Sequence, residues 1–253
     1  MASEVNVYTD AELYDAENTT VDELAILLPL AERTGGPIID LACGTGRTTL
    51  PLAEAGFEVI GVDLSEPMLA LAREKARDRG LRIAFHQQDC RHLDLPETAS
   101  RMATMTGNAF QEFLTNDDQD GLLRSVGRHL APSGIFAFGT RFPSGANLHR
   151  GEGEQPWSTI TDVAGWTITV SVIWSYDPVT QVQDYLFIER IGDGTHVTEE
   201  RRSFGRLRYT WPLEMERLLA THSFDLERVH GGWDASPLSA DSREMVAVAR
   251  KRH

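Results

Sequence analysis

The stretch from Ile38 to Thr49, IIDLACGTGRTT, restricts the fold more than any other part of this 253-residue chain. An apolar run ends on a carboxylate, Gly44 and Gly46 follow, and Arg-Thr-Thr leads into an apolar-periodic segment. Such a string takes a buried strand through a sharp turn into a helix and opens backbone N–H groups to a ligand. The ligand is a dinucleotide, a nucleoside triphosphate, or a nucleoside with no phosphate. A triphosphate cradle needs GxxxxGK followed by Ser or Thr, and no such string occurs. A dinucleotide fingerprint needs a third glycine where Thr49 stands, which disfavours pyrophosphate.

The surroundings agree with a strand–turn–helix reading. Apolar runs in PIIDLA, FEVIGVD, RIAFHQQD, ATMTGNAF and IFAFGTRF alternate with helix-period segments through about residue 142. That alternation predicts right-handed crossovers and a parallel, doubly wound α/β sheet. Upstream, residues 10–36 read as a polar entry and one amphipathic helix, with Leu24, Leu27, Leu28 and Ala31 on one face and Gly35-Gly36 as its stop. Between residues 150 and 210 the helical period disappears. WTITVSVIWSYD, QVQDYLFIER and HVTEERRSFG are β-rich runs divided by the turn clusters DPVT and GDGT, which predicts an inserted antiparallel meander. The α/β pattern resumes with WPLEMERLLATHSF and ends in the strand EMVAVARKR.

Two further carboxylates define the ligand. Asp63 closes the second strand, and a carboxylate there accepts hydrogen bonds from both hydroxyls of a ribose. Asp89 closes the third strand, where an acceptor reads an adenine amino group. Ligands bind at the carboxyl ends of such strands, so the site offers acids for an amine, a ribose and an adenine, and no phosphate cradle. The net charge of −14 repels nucleic-acid phosphates. There is no membrane-length apolar run, no secretory leader and no metal-binding cluster, and Cys43 and Cys90 make neither a disulfide framework nor a CxxC site. The expectation is a cytoplasmic protein with no metal, nucleic-acid or membrane partner.

In IIDLACGTGR, VIGVDLSEPML, QQDCRHLDLP and the tail FDLERVHGG…EMVAVARK, the chain resembles the class I S-adenosylmethionine-dependent methyltransferases. It departs from their usual pattern in carrying Ala42 where a glycine is customary. The resemblance implies a Rossmann-like seven-stranded sheet divided as an N-terminal helical lid (1–36), a cofactor-binding core (37–145), an antiparallel β insertion acting as substrate flap (146–210) and the end of the core (211–253). It also implies S-adenosylmethionine as cofactor. Asp40 with Ala42, Cys43 and Gly44 would hold the methionine ammonium, Gly46 would admit the cofactor, and Arg47 would meet its carboxylate. Asp63 would take the ribose, Leu64 and Met68 would flank the adenine, and Asp89 with the Cys90 amide would read its edge. Gly107 and Asn108 would line the methyl-transfer site, with Tyr8 and Tyr14 folded over the cofactor. The layout is similar to sugar N-methyltransferases, which implies a small-molecule acceptor methylated on N or O and a homodimer made through the insertion.

Candidate catalytic residues are Asn108 and Gln111, in the GNAFQEF wall, and His149, where a neutral imidazole near the substrate entrance would serve as a general base. His86 and His222 read as structural, and Arg201-Arg202 as a solvated strand face. Two rival functions remain open: a protein that binds the adenosyl cofactor without transferring methyl, as a cyclase or scaffold, and a nicotinamide oxidoreductase. Thr49 and the lack of a Tyr-x-x-x-Lys string count against the latter.

Overall fold

The computed structural model describes residues 4–5, 11–96, 99–148, 151, 153–161 and 166–253. In chain order the elements are β1 (Glu4–Val5), α1 (Ala11–Glu17), α2 (Leu24–Thr34), β2 (Ile38–Leu41), α3 (Thr49–Glu54), β3 (Val59–Asp63), α4 (Glu66–Asp78), β4 (Ala84–Gln87) and β5 (Ser100–Met105). Then come α5 (Asn116–His129), β6 (Leu130–Arg141), α6 (Gly145–Leu148), β7 (Gln155–Thr161), β8 (Thr167–Asp177), β9 (Val182–Gly192), β10 (Val197–Arg208), α7 (Pro212–Thr221), β11 (Phe224–His230) and β12 (Glu244–Lys251).

Seven strands form one sheet in the order β11-β12-β6-β5-β2-β3-β4. Neighbours from β4 to β6 are parallel, and β12 runs antiparallel to both β6 and β11. This is the doubly wound α/β sheet that the alternation predicts. The pleat sorts the central side chains between two layers. Ile39, Leu41, Ile60 and Val62 pack with α5 and α7, while Ile38 and Val59 pack against Ile26, Leu27 and Leu30 of α2. Every residue of β2 is buried, as expected of a central parallel strand covered on both faces. At α5 a reciprocal cap fixes the start: Thr115 accepts from the Asp118 amide and donates to its carboxylate.

The second sheet has the order β1-β10-β9-β8-β7, with β7 to β10 antiparallel and β1 parallel to β10. Its turns sit at the two polar clusters. Asp177 accepts from the Val179 amide and the Thr180 hydroxyl, and Asp193 accepts from the Thr195 and His196 amides. These are Asx turns, in which a side chain supplies the acceptor that the backbone lacks. The inserted antiparallel flap of the sequence reading is therefore present, widened by β7 and β1.

Three boundaries differ from the sequence expectation. The polar entry before α2 contains a helix of its own, α1. The fourth strand runs over residues 100–105, so GNAF forms the turn beyond it. Pro-Ser-Gly after α5 lies inside β6, whose first residue pairs with Ser100.

Candidate functional site

A cavity of about 410 Å³ opens at the carboxyl ends of the parallel strands and beneath the second sheet. Its volume lies in the range of small-molecule sites. Asp63, Leu64, Met68, Asp89 and Cys90 line one end. Asp63 is fixed by two backbone donors, the Gly44 amide on Oδ2 and the Ser65 amide on Oδ1, each at 2.8 Å. Each carboxylate oxygen offers two lone pairs, so both keep capacity for an incoming hydroxyl. Burial raises the Asp63 pKa against the opposing pull of those amides. Beside it Leu64 is 66% exposed while Met68 is sealed, so an apolar surface waits at the edge of β3.

Asp89 is less available. Arg91 reaches it through its backbone amide at 2.9 Å and its guanidinium at 2.6 Å, and the same side chain pairs with Asp118 at 2.5 Å. Those bonds hold the Asp89 carboxyl below the usual range. An adenine amino group would share this acceptor with Arg91.

The middle of the cavity is built from backbone in the left-handed region: Ala42 (φ 52°), Gly44 (φ 54°) and Gly107 (φ 62°). Tyr14 of α1 lies over them. A Cβ placed on Gly44 would stand 3.8 Å from its ring, and one on Gly107 3.7 Å from its hydroxyl. The neighbouring Asp15 anchors α1 by pairing with Lys75 at 2.7 Å and accepting from Thr45 at 2.5 Å.

Several expected site residues serve elsewhere. Asp40 does not face the cavity. It is fully buried, and its Oδ2 accepts from Thr48 at 2.9 Å and Thr49 at 2.5 Å. Burial pushes its pKa up to about 6. The position of the missing third glycine is thereby explained, because the Thr49 hydroxyl braces the loop through Asp40. Arg47 is held by Glu23 through both guanidinium ends, at 2.5 and 2.7 Å, and by the Thr20 carbonyl. It lines a separate cavity of about 200 Å³ with Asn108 and Glu244. Gly46 (φ 82°) packs on Leu50 and Ala72. Gln111 is fully buried, donates to the Arg208 carbonyl at 3.2 Å and accepts from the Arg141 amide at 3.1 Å, so it ties the cavity wall to the flap. Burial raises the Cys43 thiol well above its ordinary value and pushes Cys90 up to about 12, so neither is a thiolate near neutrality. His149 and Tyr8 lie outside the described residues.

The other end of the cavity was less visible in sequence. Glu112 and Phe113 form its wall, and Tyr185, Phe204 and Gly205 of the flap form its roof. Gly205 stands opposite Tyr185, and a Cβ there would lie 2.1 Å from the Tyr185 ring. A glycine inside a strand run is the signal of such a close approach. Burial, with the charge of Glu112, pushes the Tyr185 hydroxyl up to about 12, so it remains a donor. The rings of Trp157, Trp174 and Phe187 continue from Tyr185 as one aromatic cluster, with centroid separations of 5.2 to 6.1 Å. Among the described residues no three His, Cys, Asp or Glu side chains converge as a metal site, and no helix is long and apolar enough to cross a membrane.

Comparison with known proteins gives this geometry a lineage. Residues 38–134 match the family described as methyltransferase domain. The Bacillus subtilis (strain 168) protein named "Putative methyltransferase YqeM" is 32% identical over 224 residues, 85% of this chain and 84% of its own. The cypemycin N-terminal methyltransferase of a Streptomyces species is 28% identical over 259 residues, 99% of this chain and 100% of its own. Among solved structures, the CcbJ methyltransferase from Streptomyces caelestis superposes with a TM-score of 0.82 at 27% identity, covering 98% of this chain and 99% of that one. The chain belongs to the class I S-adenosylmethionine-dependent methyltransferases.

Proposed function

We propose that this methyltransferase acts on a nitrogen or oxygen of a small molecule bound beneath the flap. One observation carries the reading: a single cavity runs from the nucleoside end at Asp63 and Asp89 to an aromatic end at Phe113, Tyr185 and Phe204. The residues fit the cofactor. Asp63 has acceptor capacity for the ribose, exposed Leu64 offers an apolar face for the adenine, and the left-handed turns at Ala42, Gly44 and Gly107 leave room for the methionine tail beneath Tyr14. When bound, S-adenosylmethionine supplies a methyl group already activated by a positive sulfur. The protein's task is then to align the acceptor and exclude water. Tyr14 covers the core side and Tyr185 the flap side. Nitrogen is the favoured acceptor atom, in keeping with the N-terminal methyltransferase of cypemycin.

In this reading residues 1–36 form a lid, 37–145 and 211–253 the cofactor-binding core, and 146–210 the substrate flap. The flap also makes a homodimer in a cytoplasmic enzyme, supported by two exposed tryptophans, Trp157 (49%) and Trp166 (45%). Calorimetry with S-adenosylhomocysteine and with NADH, then transfer of labelled methyl to a panel of amines and alcohols, tests it. Binding of NADH alone, or label in no product, would overturn the proposal. Light scattering that returns a monomer would remove the dimer.

A further inference from the structure

We infer that the Tyr185 hydroxyl is the polar contact that orients the acceptor: its oxygen takes a hydrogen bond from an N–H of the substrate amine and leaves the nitrogen lone pair to face the methyl donor. This rests on the methyltransferase reading above and adds the residue that positions the nucleophile.

A buried hydroxyl needs a hydrogen-bond partner. Tyr185 is only 8% exposed, and among the described residues no hydrogen bond reaches its hydroxyl. Its oxygen is not among the sealed, unpartnered atoms either, so it opens onto the cavity that Tyr185 lines. Trp174 and Phe187 hold the ring, at centroid separations of 5.9 and 5.2 Å. Its far end lies at Gly205, where a Cβ would stand 2.1 Å from both Cζ and Oη, and Gly205 also lines the cavity. The space left by the missing side chain of Gly205 is where the hydroxyl rests. The charge of Glu112, on the cavity wall, reaches the same hydroxyl. Other polar groups of the lining are spent within the protein. Gln88 gives both ends of its amide to the Asp94 backbone, and Arg91 pairs with Asp89 and Asp118.

A neutral hydroxyl donates one hydrogen bond and accepts two. Burial keeps Tyr185 protonated, with its pKa pushed up to about 12, so it draws no proton from the substrate. A neutral amine asks for none. Its nitrogen lone pair forms the new N–C bond, the sulfur keeps the electron pair of the broken C–S bond, and the proton of the resulting ammonium leaves to water. What the step requires is direction. An N–H held on the Tyr185 oxygen points the lone pair away from that oxygen. The contact selects a primary or secondary amine, because a tertiary amine has no N–H to give.

The test uses the full-length protein saturated with S-adenosylhomocysteine, after that binding has been measured by calorimetry. Two probes of matched shape, both uncharged near neutral pH, are titrated: aniline and toluene. Their rings suit a cavity walled by Phe113 and roofed by Tyr185. Tyr185→Phe is expected to move the aniline-to-toluene affinity ratio about fivefold toward toluene, the worth of one neutral hydrogen bond. Affinities for toluene and S-adenosylhomocysteine are expected to stay near wild type. In protein labelled with carbon-13 at tyrosine Cζ, the resonance that Tyr185→Phe removes is expected to shift more with aniline than with toluene. An unchanged ratio, binding of neither probe, or equal shifts of that resonance would overturn the proposal. Should the Phe variant lose S-adenosylhomocysteine, the wild-type resonance decides on its own. Failure of the wild type to bind S-adenosylhomocysteine would instead defeat the methyltransferase reading, so the two failures are distinguishable.

Discussion

Asp40→Asn isolates the electrostatics of the cofactor loop. Asp40 is fully buried with two threonine hydroxyls on Oδ2 and no partner on Oδ1, and its pKa rises from 3.8 to about 6. Well below pH 3.8 the carboxyl is protonated in both folded and unfolded chains. Between pH 4 and 6 the folded chain holds a proton that the unfolded chain has lost, so stability falls as pH rises through this window. Above it the loss is complete and constant. The rise from 3.8 to about 6 corresponds to about 3 kcal/mol. Asparagine resembles the protonated acid at every pH, and its amide pays a fixed penalty of about 1–3 kcal/mol where Oδ1 had no partner. Urea unfolding of both apo proteins at pH 4, 5, 6 and 7 should therefore show the difference moving in favour of Asn by about 2 kcal/mol, nearly all of it before pH 6.5. Asp15, Asp89 and Asp118, whose pKa values are lowered, act with the opposite sign in both proteins and cancel in the difference. Stability curves that stay parallel across the range would refute the reasoning, and a difference moving toward the wild type would mean that Asp40 is paired when charged.

Other outcomes follow from single contacts. Asp63→Ala removes the acceptor for two ribose hydroxyls and frees the Gly44 and Ser65 amides, and calorimetry should show S-adenosylhomocysteine affinity falling more than tenfold; an unchanged dissociation constant would end the assignment. Asp15→Ala unfastens α1 from Lys75 and Thr45, so stopped-flow dissociation of S-adenosylhomocysteine should accelerate severalfold while the melting temperature moves little, because the ion pair is partly exposed. Gly205→Ala should displace the Tyr185 ring, raising the acceptor KM severalfold with cofactor affinity retained. His149→Ala should keep activity within a few-fold; a loss on the order of a thousandfold would make that histidine the general base.

What was legible in the sequence is what local pattern controls. The buried runs of β2 and β3 and the turns between β8, β9 and β10 follow from apolar period and Asx chemistry. Asp63 was legible too, because the end of a parallel strand fixes where its side chain arrives. The misplaced residues have distant partners. Arg47 is taken by Glu23, 24 residues earlier, and Gln111 by the Arg208 carbonyl, 97 residues later. No spacing rule anticipates either bond. Helix α1 was missed for the same reason, since Asp15 is anchored 30 and 60 residues away, at Thr45 and Lys75. Strand β7 escaped because Pro156 interrupts its run, and a proline is tolerated there only because β7 is an edge strand.

The N-terminal segment touches both ends of the cavity. Residues Glu4 and Val5 join the strand that carries Phe204 and Gly205 over the acceptor, while α1, a few residues on, carries Tyr14 over the cofactor. The expected consequence is a compulsory order of turnover: donor in first, acceptor second, methylated product out, spent donor last. Product-inhibition patterns would carry that signature, with S-adenosylhomocysteine competing against the donor and not against the acceptor.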